Sequence, residues 1–423
     1  MWPKLVLKKV HRKSFSSSNI VADSPDSREI MPEFHGSDAS TMRACNQQTC
    51  KIFVSSWNVG GIVPPEDMDI EYWLDTKKYP ADIYIFGFQE IVPLSAGNVL
   101  GSENSKISGK WNAIISKTLN KLSSHARSGH ISTVGSQSKE HFRCIVSKQM
   151  VGIFISVWIR SNLCEFVSHP SVSCVGCGIM GCLGNKGSVS VRFLLRETSF
   201  CFVCSHLASG GREGDEKNRN ADATEILLRT TFPHGPLRNL PRKILDHDRV
   251  IWLGDLNYRI HFPDTTTRSL VEKRKWDLLL EKDQLKAELM EGHVFQGWQE
   301  GVIKFAPTYK YCPNSEAYYG GNPNPKVKKS RAPAWCDRII WFGEGLKQSQ
   351  YNRGESKLSD HRPVRAIFTA ETGSSKLNIA TIQEREIKNI LLCNNIDIFS
   401  EKRLSNIINA YDTIMRIELY SAN

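Results

Sequence analysis

The sequence predicts a layered α/β protein with buried sheets. Three observations point there: apolar runs of strand length recur along the middle of the chain, segments of helical periodicity fall between them, and several runs stop on a polar residue capable of chemistry.

In chain order, residues 1–49 are polar, Ser-rich and aperiodic, and read as a flexible basic extension. Lys4, Lys8, Lys9, Arg12 and Lys13 precede any acid there, as in a solvated basic tail; a membrane or nuclear-import contact is the alternative. Strands are expected at 52–57, 83–88, 151–159, 188–193, 200–204, 249–253, 338–341 and 364–368. Helices are expected over 111–122 and 215–229, the latter after an acidic start, and over 266–290 as one long or two short helices. Apart from its helix, 101–140 is rich in Gly, Ser and Lys and reads as a surface excursion; 312–333, rich in Pro, Asn, Gly and Lys, reads as a long loop of the kind that carries substrate contacts. The ordered unit is placed at 50–371, and 372–423, of different composition, is an appendix without an assigned role.

Composition restricts the function classes. With 40% hydrophobic, 9% aromatic and 23% charged residues, the chain is that of a folded globular protein. A formal charge of +11 and a pI near 9.0 favour an anionic partner: nucleic acid, an acidic membrane face or a polyphosphorylated substrate. The longest apolar run, 150–159, is about half the length of a membrane span. No charged-then-apolar leader opens the chain, so cytoplasm or nucleus is the expected compartment. The 12 cysteines are then expected as reduced thiols. Cys174 and Cys177 with Cys201 and Cys204 have the outline of a zinc site, but 199–205 reads as a strand, which sends Cys201 and Cys204 to opposite faces.

The chemistry gathers at strand ends. Asn58, Gln89-Glu90, Ser205-His206, Asp255 with Asn257, and Asp360-His361 each sit at or beside one. Strands of a common sheet bring their like-directed ends into one crevice. Asp255 and Asn257, two apart, are expected to point the same way as they leave a strand. Phosphate-ester hydrolysis needs charge neutralisation and an oriented water, since enzymes accelerate it by up to ~10²¹-fold. Magnesium, which takes one or two carboxylates plus waters and substrate oxygens, suits Glu90 helped by Asn58. Asp255 is then the residue to orient or deprotonate the water, Asn257 to hold the water or a phosphoryl oxygen, and His361 to stabilise developing charge. Asp360 is counted with Asn58 and Glu90 on the metal side. Lys326, Lys328, Lys329 and Arg331 crowd cations near this site, where phosphate recognition gains from them. The stretch from Gly176 to Gly181 matches the dinucleotide glycine spacing but leads into a strand and lacks the later acid. Neither a Walker loop nor a Gly-x-Ser-x-Gly elbow is present.

At Trp57-Asn-Val-Gly-Gly61, Phe88-Gln-Glu90, Gly184-Asn-Lys-Gly187, Ser205-His-Leu-Ala208, 252–259, 307–311, 331–338 and Ser359-Asp-His-Arg-Pro363 the chain resembles the inositol polyphosphate 5-phosphatases, the plant type I branch most closely. The resemblance runs from about Lys51 to Thr369. It implies the endonuclease/exonuclease/phosphatase fold, a four-layer α/β/β/α sandwich of two packed mixed β-sheets flanked by helices. It also implies magnesium-dependent removal of the 5-phosphate from inositol 1,4,5-trisphosphate or phosphatidylinositol 4,5-bisphosphate. By that resemblance Asp337 supports His361, His206 contacts phosphate, and Tyr309, Lys310, Lys329 and Arg331 hold the neighbouring 4-phosphate. It further implies peripheral contact with acidic membrane rather than nucleic acid as the partner. A nuclease of the same fold, or a catalytically dead phosphoinositide-binding adaptor, are the rival readings.

Overall fold

Alternation of side chains along the strands decides the architecture. On β1 (Gln48–Asn58), Ile52 and Val54 face one side while Phe53 and Trp57 face the other, and all four are fully buried. A strand covered on both faces belongs inside a layered structure. The protein, a computed structural model, describes residues 48–101, 105–121, 141–178, 181–233, 240–320 and 331–373. The expected basic extension up to residue 47, the appendix from 374 and the cations Lys326, Lys328 and Lys329 lie outside the described residues.

Among the described residues, twelve strands form two six-stranded mixed sheets. The first contains β1, β2 (Ile83–Gln89), β3 (Phe142–Met150), β4 (Ile153–Arg160), β11 (Leu346–Arg353) and β12 (Val364–Thr372), in the order β11-β12-β1-β2-β4-β3. The second contains β5 (Val167–Gly176), β6 (Gly187–Leu195), β7 (Thr198–His206), β8 (Arg249–Asp255), β9 (Gln299–Glu300) and β10 (Asp337–Phe342), in the order β5-β6-β7-β8-β10-β9. One pair in each sheet is parallel, β1 with β2 and β7 with β8; the other pairs are antiparallel.

The sheets pack face to face through Ile52, Val54, Ile85, Ile155, Val189, Phe202, Cys204 and Leu253. Gly87 marks a close approach: a Cβ there would stand 2.7 Å from Leu253 and 2.8 Å from Cys204. The outer face of the first sheet is covered by α1 (Glu71–Leu74) and α3 (Lys106–Asn120), whose Trp73 and Trp111 close on Trp57, with α2 (Ala96–Leu100) beyond them. The second sheet is covered by α4 (Asp215–Arg229) and α7 (Gln284–Glu291), which meet Trp252 in one cluster. The four-layer expectation is met.

Two local expectations change and one holds. The four strands missed in the sequence, β3, β5, β9 and β11, are the edges of the two sheets. An edge strand is wetted on one side and carries polar residues, so it lacks the apolar run; β5 even contains Pro170. The 266–290 segment is three helices rather than one or two, α5 (Asp264–Glu272), α6 (Trp276–Leu280) and α7, broken at Arg274 in a left-handed conformation and at the Asp283 N-cap. Cys201 joins the outer layer and Cys204 the inter-sheet core, as the strand reading required.

Candidate active site

The two sheets deliver polar residues in the same way. Each parallel pair ends side by side, Asn58 opposite Gln89 in the first sheet and His206 opposite Asp255 in the second. Each pair is flanked by an antiparallel strand that starts at the same end: β12 just after His361, and β10 with Asp337 opposite Asp255. The crevice therefore lies where two sheets meet, not along the edge of one common sheet as the sequence suggested.

Asp255 is the hub. Its Oδ2 accepts from Asn58 Nδ2 at 2.9 Å and stands 3.2 Å from His206 Nε2 and 3.9 Å from His361 Nε2; Oδ1 accepts from the Asn257 backbone N–H at 3.1 Å. Burial raises the pKa of this carboxyl, but His206, His361 and Lys186 together hold it well below the usual range, so it is ionised. Beside it, His361 Nδ1 donates to Asp337 Oδ2 at 2.8 Å, and Thr308 Oγ1 donates to the same oxygen at 2.7 Å. Burial pulls the His361 pKa down, yet the Asp337 and Asp255 carboxylates lift it to about 9. Burial raises the Asp337 pKa above the usual carboxyl range, with His361 opposing it. The pair shares one proton, and we place it on His361, whose Nδ1–H donates to the oxygen that also accepts from Thr308.

Asn257 departs from the strand argument. β8 stops at Asp255, and Asn257 takes a left-handed backbone, φ 59°. Its amide is fixed on both sides: Nδ2 donates to Leu207 O at 3.1 Å and Oδ1 accepts from Arg259 Nη2 at 2.6 Å. Arg259 also lies over the Tyr309 ring at 4.5 Å, and Tyr309 packs on the His361 ring at 4.6 Å.

Two cations were not assigned from the sequence. Lys186 Nζ lies 2.5 Å from His206 Nε2; burial lowers its pKa, opposed by Asp255 and Glu90. Burial and then that ammonium keep His206 below the ordinary histidine range, while Asp255 and Glu90 pull its pKa the other way. Arg259 is the second. Both sit inside stretches singled out above, and the available signal was a lone cation within each of those stretches.

The metal-side residues divide. Glu90, about a third exposed, accepts from Asn58 Nδ2 at 3.3 Å and lies 3.9 Å from His206. Asp360 instead pairs with Lys310 and is held below the usual carboxyl range: burial opposes this, while His361 and Lys310 favour it. Lys310 belongs to a short ribbon in which Tyr309 bridges His361 and the Tyr311 N–H donates to Asp360 O at 2.9 Å. Ligand atoms of Asp255, Asp337 and His361 also lie within 4.8 Å of one another. Their hydrogen bonds, and a protonated His361, suit that trio less well to a cation than Glu90, which offers a hard carboxylate oxygen at the mouth and is braced by Asn58 Nδ2, whose own Oδ1 accepts from the Gly60 N–H. Arg331 lines a cavity of about 720 Å³ with Lys310, Tyr311, Tyr319 and Asp360. Among the described residues no helix is long and apolar enough to cross a membrane.

Residues 55–367 match the profile of endonuclease/exonuclease/phosphatase family 2. The type IV inositol polyphosphate 5-phosphatase 9 of Arabidopsis thaliana is 59% identical over 385 residues, covering 88% of this chain and 91% of that protein. The type I inositol polyphosphate 5-phosphatase 8 of the same plant is 49% identical, covering 75% and 70%. Both type designations thus occur among the relatives. A crystal structure of the inositol polyphosphate 5-phosphatase domain of SPsynaptojanin, in complex with inositol (1,4)-bisphosphate and calcium ion, superposes with a TM-score of 0.65 at 29% identity, covering 86% of this chain and 94% of that one. With two mixed sheets meeting at an Asp255-centred crevice and relatives of this identity and coverage, the chain belongs to the inositol polyphosphate 5-phosphatases of the endonuclease/exonuclease/phosphatase family.

Proposed function

We infer that the chain is a magnesium-dependent phosphatase that hydrolyses the 5-phosphate of inositol 1,4,5-trisphosphate, of phosphatidylinositol 4,5-bisphosphate, or of both. The observation that carries this is an ionised Asp255 set beside a protonated His361 in one buried crevice, with Lys186 and Arg259 in the wall and Lys310 and Arg331 at the rim. Glu90, positioned by Asn58, would hold magnesium, which when bound would neutralise phosphoryl charge.

Asp255 accepts a proton from the attacking water as the water oxygen bonds to phosphorus. The bond from phosphorus to the inositol oxygen breaks opposite to it, and that oxygen takes a proton from solvent water and leaves as the alcohol. His361 N–H faces the phosphoryl oxygens where charge builds. Asn257, clamped between Leu207 and Arg259, presents a fixed amide edge. Lys310, oriented by Asp360, and Arg331 hold the phosphate next to the one cleaved, with Lys329 placed on the same loop in sequence. Exposed Ile62 and Val63 follow the Gly60-Gly61 turn beside this rim, which suits peripheral contact with an acidic membrane.

Phosphate release across soluble and lipid inositol phosphates, with and without a 5-phosphate and titrated with magnesium, tests the reading. Release confined to 5-phosphorylated compounds, and lost in EDTA, is the expected result. DNA cleavage without such release would replace it with a nuclease, and binding without release with an adaptor.

A further inference from the structure

On the other side of Arg331 from the Lys310 cavity lies a second cavity of about 610 Å³, lined by Arg212, Arg259, Arg331, Asp215, Asp264 and Phe262 among others. It touches the reaction centre through Arg259, which grips Asn257. The two acids there are already engaged. Asp264 pairs with Arg268 at 2.9 Å, and Asp215 accepts the Arg212 backbone N–H at 2.8 Å. Among the described residues, the guanidinium groups of Arg212 and Arg331 have no acidic partner. The Arg212 guanidinium, with Arg331 shared between the two cavities and Arg259 in the wall, gives a concave cationic site next to a phosphoryl-transfer centre that is matched to a phosphate dianion.

The loop that carries Arg212 is built rather than loose. Ala208 N–H donates to Asp222 at 2.8 Å, Gly210 O accepts from the fully buried Arg219 at 3.2 Å, and the Arg212 and Asp215 backbones close a turn. Gly210 is required here, because a Cβ would come within 2.3 Å of the Asp215 carboxylate and φ is 144°. These three tethers fix the start of the Arg212 side chain at the cavity wall, so little ordering remains to be done on binding.

We propose that this cavity is a subsite for a third ring phosphate, one that is neither cleaved nor adjacent to the cleaved one on the Lys310 side, and that Arg212 is the residue that reads it. This rests on the 5-phosphatase reading above. The chemistry recognised is a phosphate monoester on ring position 1 or 3, and paired substrates separate the two sources. Inositol 4,5-bisphosphate, inositol 1,4,5-trisphosphate and inositol 1,3,4,5-tetrakisphosphate differ by one phosphate at each step.

The test measures kcat/KM for the three compounds with the wild-type chain, Arg212→Ala and Arg212→Glu, with Lys217→Glu as a control for a charge change elsewhere on the exposed face of α4. Arg212→Glu is expected to lower kcat/KM roughly tenfold or more on whichever compound first carries the third phosphate, mainly through KM, since a charge-assisted contact is lost and a repulsive one gained. It should leave inositol 4,5-bisphosphate within about twofold of wild type, as expected when only binding of the added group is affected. A loss on the step from bisphosphate to trisphosphate identifies position 1, and one on the next step position 3. An equal effect on all three compounds, no effect on any, or the same effect from Lys217→Glu would overturn the subsite. Failure of the wild-type chain to release phosphate from any of them would instead reject the 5-phosphatase reading.

Discussion

Asp337→Asn isolates the group that sets the charge of His361. The substitution keeps the size of a fully buried side chain whose Oδ2 accepts from His361 at 2.8 Å and from Thr308 at 2.7 Å. It replaces a charge-assisted hydrogen bond, worth roughly 1.5–3 kcal/mol, with a neutral one worth about 0.5–1.5 kcal/mol. The difference, about 1–2 kcal/mol, corresponds to a fall of roughly tenfold in kcat/KM if it is expressed in the transition state. A larger fall, toward about 10⁴-fold, follows if the new amide turns its N–H₂ to the ring and forces the other tautomer. The assay is steady-state phosphate release by purified Asp337→Asn, Thr308→Val and His361→Asn chains, with circular dichroism to show that each is folded. Thr308→Val removes one hydrogen bond but leaves the Asp337 charge on His361, so its loss should be the smallest. Asp337→Asn turnover within twofold of wild type, alongside an inactive His361→Asn, would show that the carboxylate does not act through the imidazole.

Further outcomes follow from buried charge. His247 is fully buried, its Nδ1–H donating to Lys243 O at 2.9 Å, and burial lowers its pKa from 6.5 to about 4. The unfolded chain therefore binds the proton first, and stability falls as pH drops through this window, by up to about 3 kcal/mol. Urea unfolding from pH 7 to pH 4 should show a shallower pH slope in His247→Gln, and an unchanged slope would reject the assignment. Arg338, fully buried, bonds both Asp283 oxygens and Glu300. Arg338→Ala strands two buried acids and should cost about 3–5 kcal/mol in denaturant unfolding; a cost under about 1 kcal/mol would mean that the network is hydrated. Lys186→Met removes a buried ammonium beside Asp255 and His206, so kcat should fall about ten- to a hundredfold while the melting temperature holds or rises. A joint loss of both would mark Lys186 as structural.

Local pattern carried the central strands and most of the chemistry. β1, β2, β7, β8 and β12 each carry a run of buried, mostly apolar side chains on both faces, and a polar residue beside such a run stands out against it. Asn58, Glu90, His206, Asp255 and His361 were legible for that reason. The edge strands were not, because one wet side dilutes the apolar signal. Pairing across the chain was also out of reach of local pattern. Asp360 rests on Lys310, fifty positions earlier, and Asn257 turns left-handed because the strand ends two residues before it. Lys186 reaches His206 and Asp255 because β6, β7 and β8 are neighbours whose ends coincide, Gly187 opposite His206 and His206 opposite Asp255, and Glu90 joins them only because the first sheet ends at the same crevice. Spacing along a chain records which way neighbouring side chains point, whereas which charges face each other across some two hundred residues depends on how the sheets pack.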